Sequence, residues 1–211
     1  MSKLGRMQAS DESRSAAPAP HVRPAVLAAG VALTVAFYLS PYMLHDAGAD
    51  LSLYPWSFSP ILPLGLYAAA FLRNRAVAVA LPVVTWIACG FALWAYTGNR
   101  AVAFPSVIVW VYAALALAAG LGLMLRRNRR WWAVGGAGLG AGATFFLVTN
   151  FGAWLGGPYD RSFAGLLECY TLALPFYRGT LLSLALFLPP LFVPAAVRAP
   201  AGQFQRVSTA G

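Results

Sequence analysis

Six uncharged apolar windows run along this chain: Pro24 to Leu44, Leu51 to Leu72, Ala76 to Tyr96, Ala101 to Leu125, Trp131 to Tyr159, and Gly179 to Val197. A helix needs about 20 apolar residues to cross a bilayer, and every window but the second supplies them in one helical run. Pro55, Pro60 and Pro63 break the first half of the second window, because proline removes a backbone donor and clashes with the preceding turn. A helix from Ile61 to Leu72 would be only about 18 Å long. The remainder, Leu51 to Pro60, is expected to be non-helical. Irregular backbone at membrane depth must line a cavity or be covered by protein. The pattern predicts an all-α polytopic membrane protein with six transmembrane helices, the second of them short.

The segment before the last window has a different rhythm. Phe163, Leu166, Leu167, Tyr170, Thr171 and Leu174 fall on one face of a 3.6-residue period. Asp160 or Ser162 can cap its start, and Glu168 sits about 140° away from Phe163. An amphipathic helix on the outer side is expected, packed on the bundle by its apolar face and ended or kinked at Pro175. It is placed to serve as a lid over an outward-facing cavity. Small residues also recur at helical spacing: Ala28, Ala32 and Ala36 on the first span, and Gly138 with Gly142 and Gly136 with Gly140 on the fifth. Such stripes let helices approach closely in lipid. They serve either packing within the chain or docking of another membrane protein.

Composition and charge agree with the windows. Sixty per cent of the 211 residues are hydrophobic and 10% are charged, against about 25% charged in a soluble domain. The net charge of +9 does not call for nucleic acid, because the cations are segregated. With both termini in the cytoplasm, twelve of the fifteen Lys and Arg residues fall inside: Lys3, Arg6, Arg14, Arg23, Arg73, Arg75, Arg126, Arg127, Arg129, Arg130, Arg198 and Arg206. Arg100, Arg161 and Arg178 fall outside, with Asp46, Asp50, Asp160 and Glu168. This is the positive-inside rule. The Arg126 to Arg130 run reads as a topology anchor that could also touch anionic headgroups. Residues 1–22 read as a disordered cytoplasmic tail, 23–197 as the membrane domain, and 198–211 as a second cytoplasmic tail. Two cysteines, Cys89 and Cys169, are too few for a disulfide framework.

Polar and aromatic residues concentrate between Thr149 and Arg178. Intramembrane polar groups are often functional, which makes Asn150 a candidate ligand-binding residue. Trp154, Tyr159, Glu168, Tyr170, Phe176, Tyr177 and Arg178 are candidates with it. Trp56 and Phe58, in the proline-broken entry, would form the opposite wall. Each also has an ordinary role open to it: interhelical bonding for Asn150, an interfacial belt for Trp154 and Tyr159, solvation for Glu168 and Arg178, aromatic packing for the rest. Cys89 or His45 as a metal ligand is the weaker reading, and no metal or cofactor is expected. No Ser/His/Asp set, paired carboxylates or phosphate-cradling glycine loop occurs, so an enzyme is not expected.

Several stretches carry a resemblance: Phe58-Ser59-Pro60-Ile61, the run from Phe145 to Trp154, Tyr159, the run from Ala164 to Tyr170, and Leu174-Pro175-Phe176-Tyr177. Together, over about residues 24 to 197, they resemble an uncharacterised family of bacterial integral membrane proteins of the domain-of-unknown-function 6580 type. That family is in turn similar to the substrate-binding S components of energy-coupling-factor (ECF) transporters. Where the family usually has an acid late in the third span, this chain has Cys89 and Gly90. Where it usually has Asn after the Pro-Phe-aromatic motif, this chain has Arg178. The resemblance implies a bacterial inner-membrane protein that binds a vitamin-like micronutrient in an outward-facing pocket. It also implies that Ala28, Ala32 and Ala36 contact a transmembrane coupling subunit, and that a separate ATPase drives uptake. The alternative is a ligand-free structural or assembly subunit of a larger membrane complex.

Overall fold

A computed structural model describes residues 23–196; the two expected tails, with Lys3, Arg6, Arg14, Arg198 and Arg206, lie outside them. The described chain is all helical apart from its connections. In order come α1 (Pro24–Asp46), α2 (Ile61–Phe71), α3 (Arg75–Thr97), α4 (Arg100–Ala103), α5 (Ile108–Gly122), a 3-10 turn (Leu123–Arg126), α6 (Trp131–Gly156) and α7 (Phe163–Ala196). Asn74 caps α3 by accepting from the Ala76 and Val77 amides, and Asn99 caps α4 in the same way. Gly98 closes α3 at φ +67°, a left-handed conformation that glycine adopts without a Cβ penalty.

Five helices are long and apolar enough to cross a membrane: α1, α3, the Arg100–Arg126 stretch, α6 and α7. The expected short second helix is α2, which is not among these five. Its 11 residues cover about 16 Å, roughly half of a 30 Å hydrocarbon core. Pro63 lies in its first turn, where a missing N–H costs nothing, so the break sits before Ile61. The α2 helix forms the centre of the molecule. Every residue from Ile61 to Ala70 is buried, and α1, α3, α5, α6 and α7 all pack against it. A helix that is apolar on all sides belongs in such a place.

Glycines set how closely the neighbours approach. A Cβ on Gly122 of α5 would stand 2.8 Å from the Ala69 Cβ and 3.0 Å from the Leu66 Cα of α2. Gly138 and Gly142 of α6 face Leu188 and Leu184 of α7, so that stripe packs within the chain. The companion stripe does less: Gly136 has open space beside it, and Gly140 only touches Leu121 at 3.5 Å.

The expected lid helix is corrected. Phe163 begins α7, a single helix of 34 residues that runs through Pro175. Its packed face is not the one read from the apolar period. Phe163 is 80% exposed, Leu167 59% and Leu174 51%, whereas Gly165, Cys169 and Ala173 are buried. In lipid a large apolar side chain gains little from leaving its surroundings for a protein partner. Small residues, by contrast, allow close backbone contact. The Cys169 thiol donates to the Asn150 carbonyl at 3.4 Å, and the Tyr170 hydroxyl donates to the Leu147 carbonyl at 2.7 Å. Both fasten this half of α7 to α6.

Gly122→Ala is expected to lower stability by about 1–3 kcal/mol, because the added methyl meets a neighbouring methyl and a backbone atom that cannot rotate away. Gly136→Ala, in open space, should be neutral or stabilising by up to about 1 kcal/mol. Thermal unfolding of both variants in detergent checks the contrast.

Candidate functional site

The irregular entry Leu51–Pro60 folds back over the start of α2 and is tied down on two sides. On the α1 side, the Tyr54 and Ser40 hydroxyls share a hydrogen bond of 2.6 Å. The Ser40 hydroxyl also donates to the Phe37 carbonyl at 2.9 Å. On the α7 side, the Ser183 hydroxyl donates to the Ser59 carbonyl. Gly179 of α7 lies directly beneath the Trp56 carbonyl, where a Cβ would collide with backbone. Ser57 takes up φ +64°, a left-handed conformation that costs a residue with a Cβ roughly 1–2 kcal/mol. Strain of this kind persists where the surroundings over-determine the backbone, and here two helices do so.

Between the entry, α1 and the core lies a cavity of about 190 Å³. Phe37, Tyr38 and Tyr42 of α1 form one wall. Tyr54, Trp56 and Phe58 of the entry form another, and Trp86 of α3 stands across from them. The floor is Ile61 and Leu62 of α2, closed by Phe145, Thr180 and Ser183 from α6 and α7. None of the lining residues is charged. The rings interlock edge to face: Tyr38 with Trp86 at 4.9 Å, Phe37 with Phe58 at 5.1 Å, Tyr54 with Trp56 at 5.1 Å. Tyr, Ser and Thr residues among the lining bring hydroxyl groups to these apolar faces. The α1 wall stands within about 14 Å of the Asp46 end of that helix.

Of the ten candidate ligand-binding residues, the cavity gathers only Trp56 and Phe58. The others are occupied elsewhere. Asn150 turns its amide onto its own helix, donating to the Phe146 carbonyl at 2.7 Å. The Trp154 indole donates to the Asp160 carbonyl at 2.8 Å, and the Arg161 guanidinium lies 5.7 Å from its ring. Arg161 also donates to the Trp154 and Leu155 carbonyls, two of the orphan acceptors at the end of α6, where a cation is favoured. Tyr159 is half-buried beside Cys169, and burial raises its hydroxyl pKa. Tyr170 and Tyr177 pack on Phe146 at 5.6 and 4.8 Å. Phe176 reaches the Trp56 ring at 6.5 Å but stays outside the cavity. Glu168 and Arg178 are exposed. The contacts of the candidates between Asn150 and Arg178 lie mainly in the α6–α7 connection and contact, and none of these candidates lines the cavity beneath the entry.

The signal missed in the sequence lay in the first span. Tyr38 and Tyr42 are one helical turn apart within a hydrocarbon run, and a tyrosine hydroxyl there needs a polar partner or an aqueous opening. In α3, Gly90 has no room for a side chain: a Cβ there would meet the Phe104 ring at 2.6 Å. Cys89 and Cys169 are both buried and free. His45 lies 3.5 Å from Asp46 at the surface. Among the described residues, no three His, Cys, Asp or Glu side chains gather as metal ligands.

The family profile that matches this chain covers residues 19–204, nearly its whole length. The chain belongs to the family of unknown function DUF6580. No curated protein and no solved structure matches it. The matched span contains every described helix of this DUF6580 protein, so the cavity, the short α2 and the α6–α7 pair all lie inside the family domain.

Ser183→Ala leaves the Ser59 carbonyl without its donor and should cost this DUF6580 protein about 1–3 kcal/mol. Arg161→Ala, which frees two exposed carbonyls that water can reach, should cost about 1 kcal/mol or less. Unfolding midpoints in detergent would rank the two.

Proposed function

We propose that this protein is an integral membrane ligand-binding component that holds a small, uncharged, flat molecule in the cavity beneath the broken entry. The reading follows the S components of ECF transporters. The observation that carries it is the cavity itself, lined by aromatic residues of α1, the entry and α3, with hydroxyl-bearing residues among them and no charge. Aromatic faces suit a conjugated or ring-containing ligand. A few polar atoms in an apolar pocket fix its orientation. The absence of a lining charge disfavours a phosphorylated or carboxylate ligand, which would enter hydrocarbon uncompensated.

The orientation follows the charge segregation. The arginines at the start of α3 and between α5 and α6 would face the cytoplasm, with both termini on that side in a bacterial inner membrane. The cavity then lies toward the outer face. Energy for uptake would come from a separate coupling subunit and ATPase, since the chain has no P-loop signature. Ala28, Ala32 and Ala36 are all exposed on α1, which leaves that stripe open for such a subunit. The same exposure supports a second reading, a ligand-free assembly subunit docked through α1.

Full-length protein purified in detergent should release a neutral ring-containing molecule detectable by mass spectrometry. Trp86→Ala should lower its occupancy about tenfold or more, since it removes a whole aromatic wall. Trp154→Ala and Arg178→Ala should leave it unchanged. No co-purifying molecule, together with micronutrient uptake indifferent to Trp86→Ala, would sink the ligand-binding reading in favour of the assembly one.

A further inference from the structure

A second concavity lies between α6 and α7, with a volume of about 530 Å³. It is an open apolar groove, floored by Val134, Gly138 and Leu188 and flanked by the exposed Leu139 and Val193. Its α7 side runs from Leu181 to Val193. That is about 18 Å of helix, close to the 15 Å hydrocarbon depth of one leaflet. One polar side chain lines it, Arg129, at the end where α6 begins and Phe192 and Val193 lie.

The arginine end carries cations without acids. Arg126 donates to the Leu72 carbonyl and Arg129 to the Ala70 carbonyl, and the Arg129 guanidinium lies 4.5 Å from the Phe71 ring. The Nε atoms of both arginines are buried and make no hydrogen bond. Arg127 and Arg130 stand exposed beside them. The acids among the described residues are Asp46, Asp50, Asp160 and Glu168. Asp46 closes α1 and Asp160 precedes α7, both at the opposite end of the bundle from Arg129. The only ion pair among the described residues is His45 with Asp46. Burial, and then the neighbouring Arg126 charge, lowers the Arg129 pKa; an anion placed beside it would favour the charged form. Trp131 and Trp132, 86% and 53% exposed, follow the arginines at once, as interfacial aromatics do.

We infer that the groove between α6 and α7 is a binding site for an anionic glycerophospholipid, with one acyl chain along the groove and the phosphate at its Arg129 end. The occupant is fixed by three matches: groove length to leaflet depth, groove lining to hydrocarbon, and an acid-free arginine cluster at headgroup level to a phosphate. Arginine recognises phosphate through its planar fork, with charge-assisted hydrogen bonds. The site is separate from the aromatic cavity and does not depend on what that cavity holds.

The test titrates full-length protein in neutral detergent with phosphatidylglycerol or with phosphatidylcholine of the same acyl chains, read by native mass spectrometry. Phosphatidylglycerol should bind at about tenfold lower concentration or better. Arg129→Gln should remove that preference while leaving weak binding of both lipids. Gly135→Leu puts a side chain into the groove where glycine has nothing within 4 Å and should weaken both lipids together. It leaves the helix intact, since leucine is the better helix former. Equal binding of the two lipids, or a preference that survives Arg129→Gln, overturns the inference. If Arg129→Gln does not fold, unchanged phosphatidylglycerol binding in Gly135→Leu overturns it alone. Displacement of the lipid by inorganic phosphate at equal concentration would overturn the acyl-chain half.

Discussion

The structure depends on a buried helix that is too short for its surroundings. The α2 helix, buried from Ile61 to Ala70, lies at the centre of a bundle with five helical stretches long and apolar enough to cross a bilayer. Every helix ends in unpaired carbonyls and amides, and those of α2 fall inside the protein. The carbonyls of Ala70 and Leu72 are met by Arg129 and Arg126, reaching in from the α5–α6 connection. Cations suit that end of the macrodipole. The opposite end is met by the entry segment, with the Ser59 hydroxyl accepting from the Ile61 amide at 3.3 Å and Ser183 holding the Ser59 carbonyl. The aromatic cavity and the arginine end of the groove lie by the two ends of this one helix.

Small residues decide which helices touch. Gly122 lets α5 reach α2, and Gly138 and Gly142 let α6 receive leucines from α7. Cys169 and Tyr170 fasten the first half of α7 to α6 by hydrogen bonds to the Asn150 and Leu147 carbonyls. Many bulky apolar side chains on the same helices, among them Leu139, Phe163, Leu167 and Leu174, face outward. Amphipathic reasoning from soluble proteins inverts here, because the apolar face has lipid as an equal partner while backbone contact and interhelical hydrogen bonds have no substitute in lipid. This is why the Phe163, Leu167 and Leu174 face is outside, and why a segment with the rhythm of a lid is the first half of a long packed helix.

Polarity within a membrane chain locates strain and structure as readily as function. Asn150, Trp154 and Tyr170 attracted attention as polar atoms amid hydrocarbon, and each spends its donor on a backbone carbonyl of its own helix, its own loop or the adjacent helix. The cavity drew instead on aromatic residues of α1 and α3 that lie deep in otherwise plain apolar runs. Only Trp56 and Phe58, beside the prolines, belong to both the sequence pattern and the cavity. The prolines were informative because broken backbone in a buried place has to be held by something, and the residues holding it surround space.

The linear pattern of the chain determined that it is all helical, that its long apolar helices fit a membrane, and that the second apolar helix starts at Ile61 and is short. Those properties rest on local chemistry: hydrocarbon run length, the missing donor of proline, and charge at the ends. Tertiary structure decided that α2 is enclosed, that Pro175 interrupts nothing, and which aromatic residues share a cavity. It also decided that Arg126 and Arg129 stand at the end of an apolar groove. The reason is that an apolar side chain in a membrane is equally at home against lipid or protein, so its position in sequence does not say which it will face. Only the packing of small residues and the pairing of stranded backbone groups settles that, and both need the whole bundle in place.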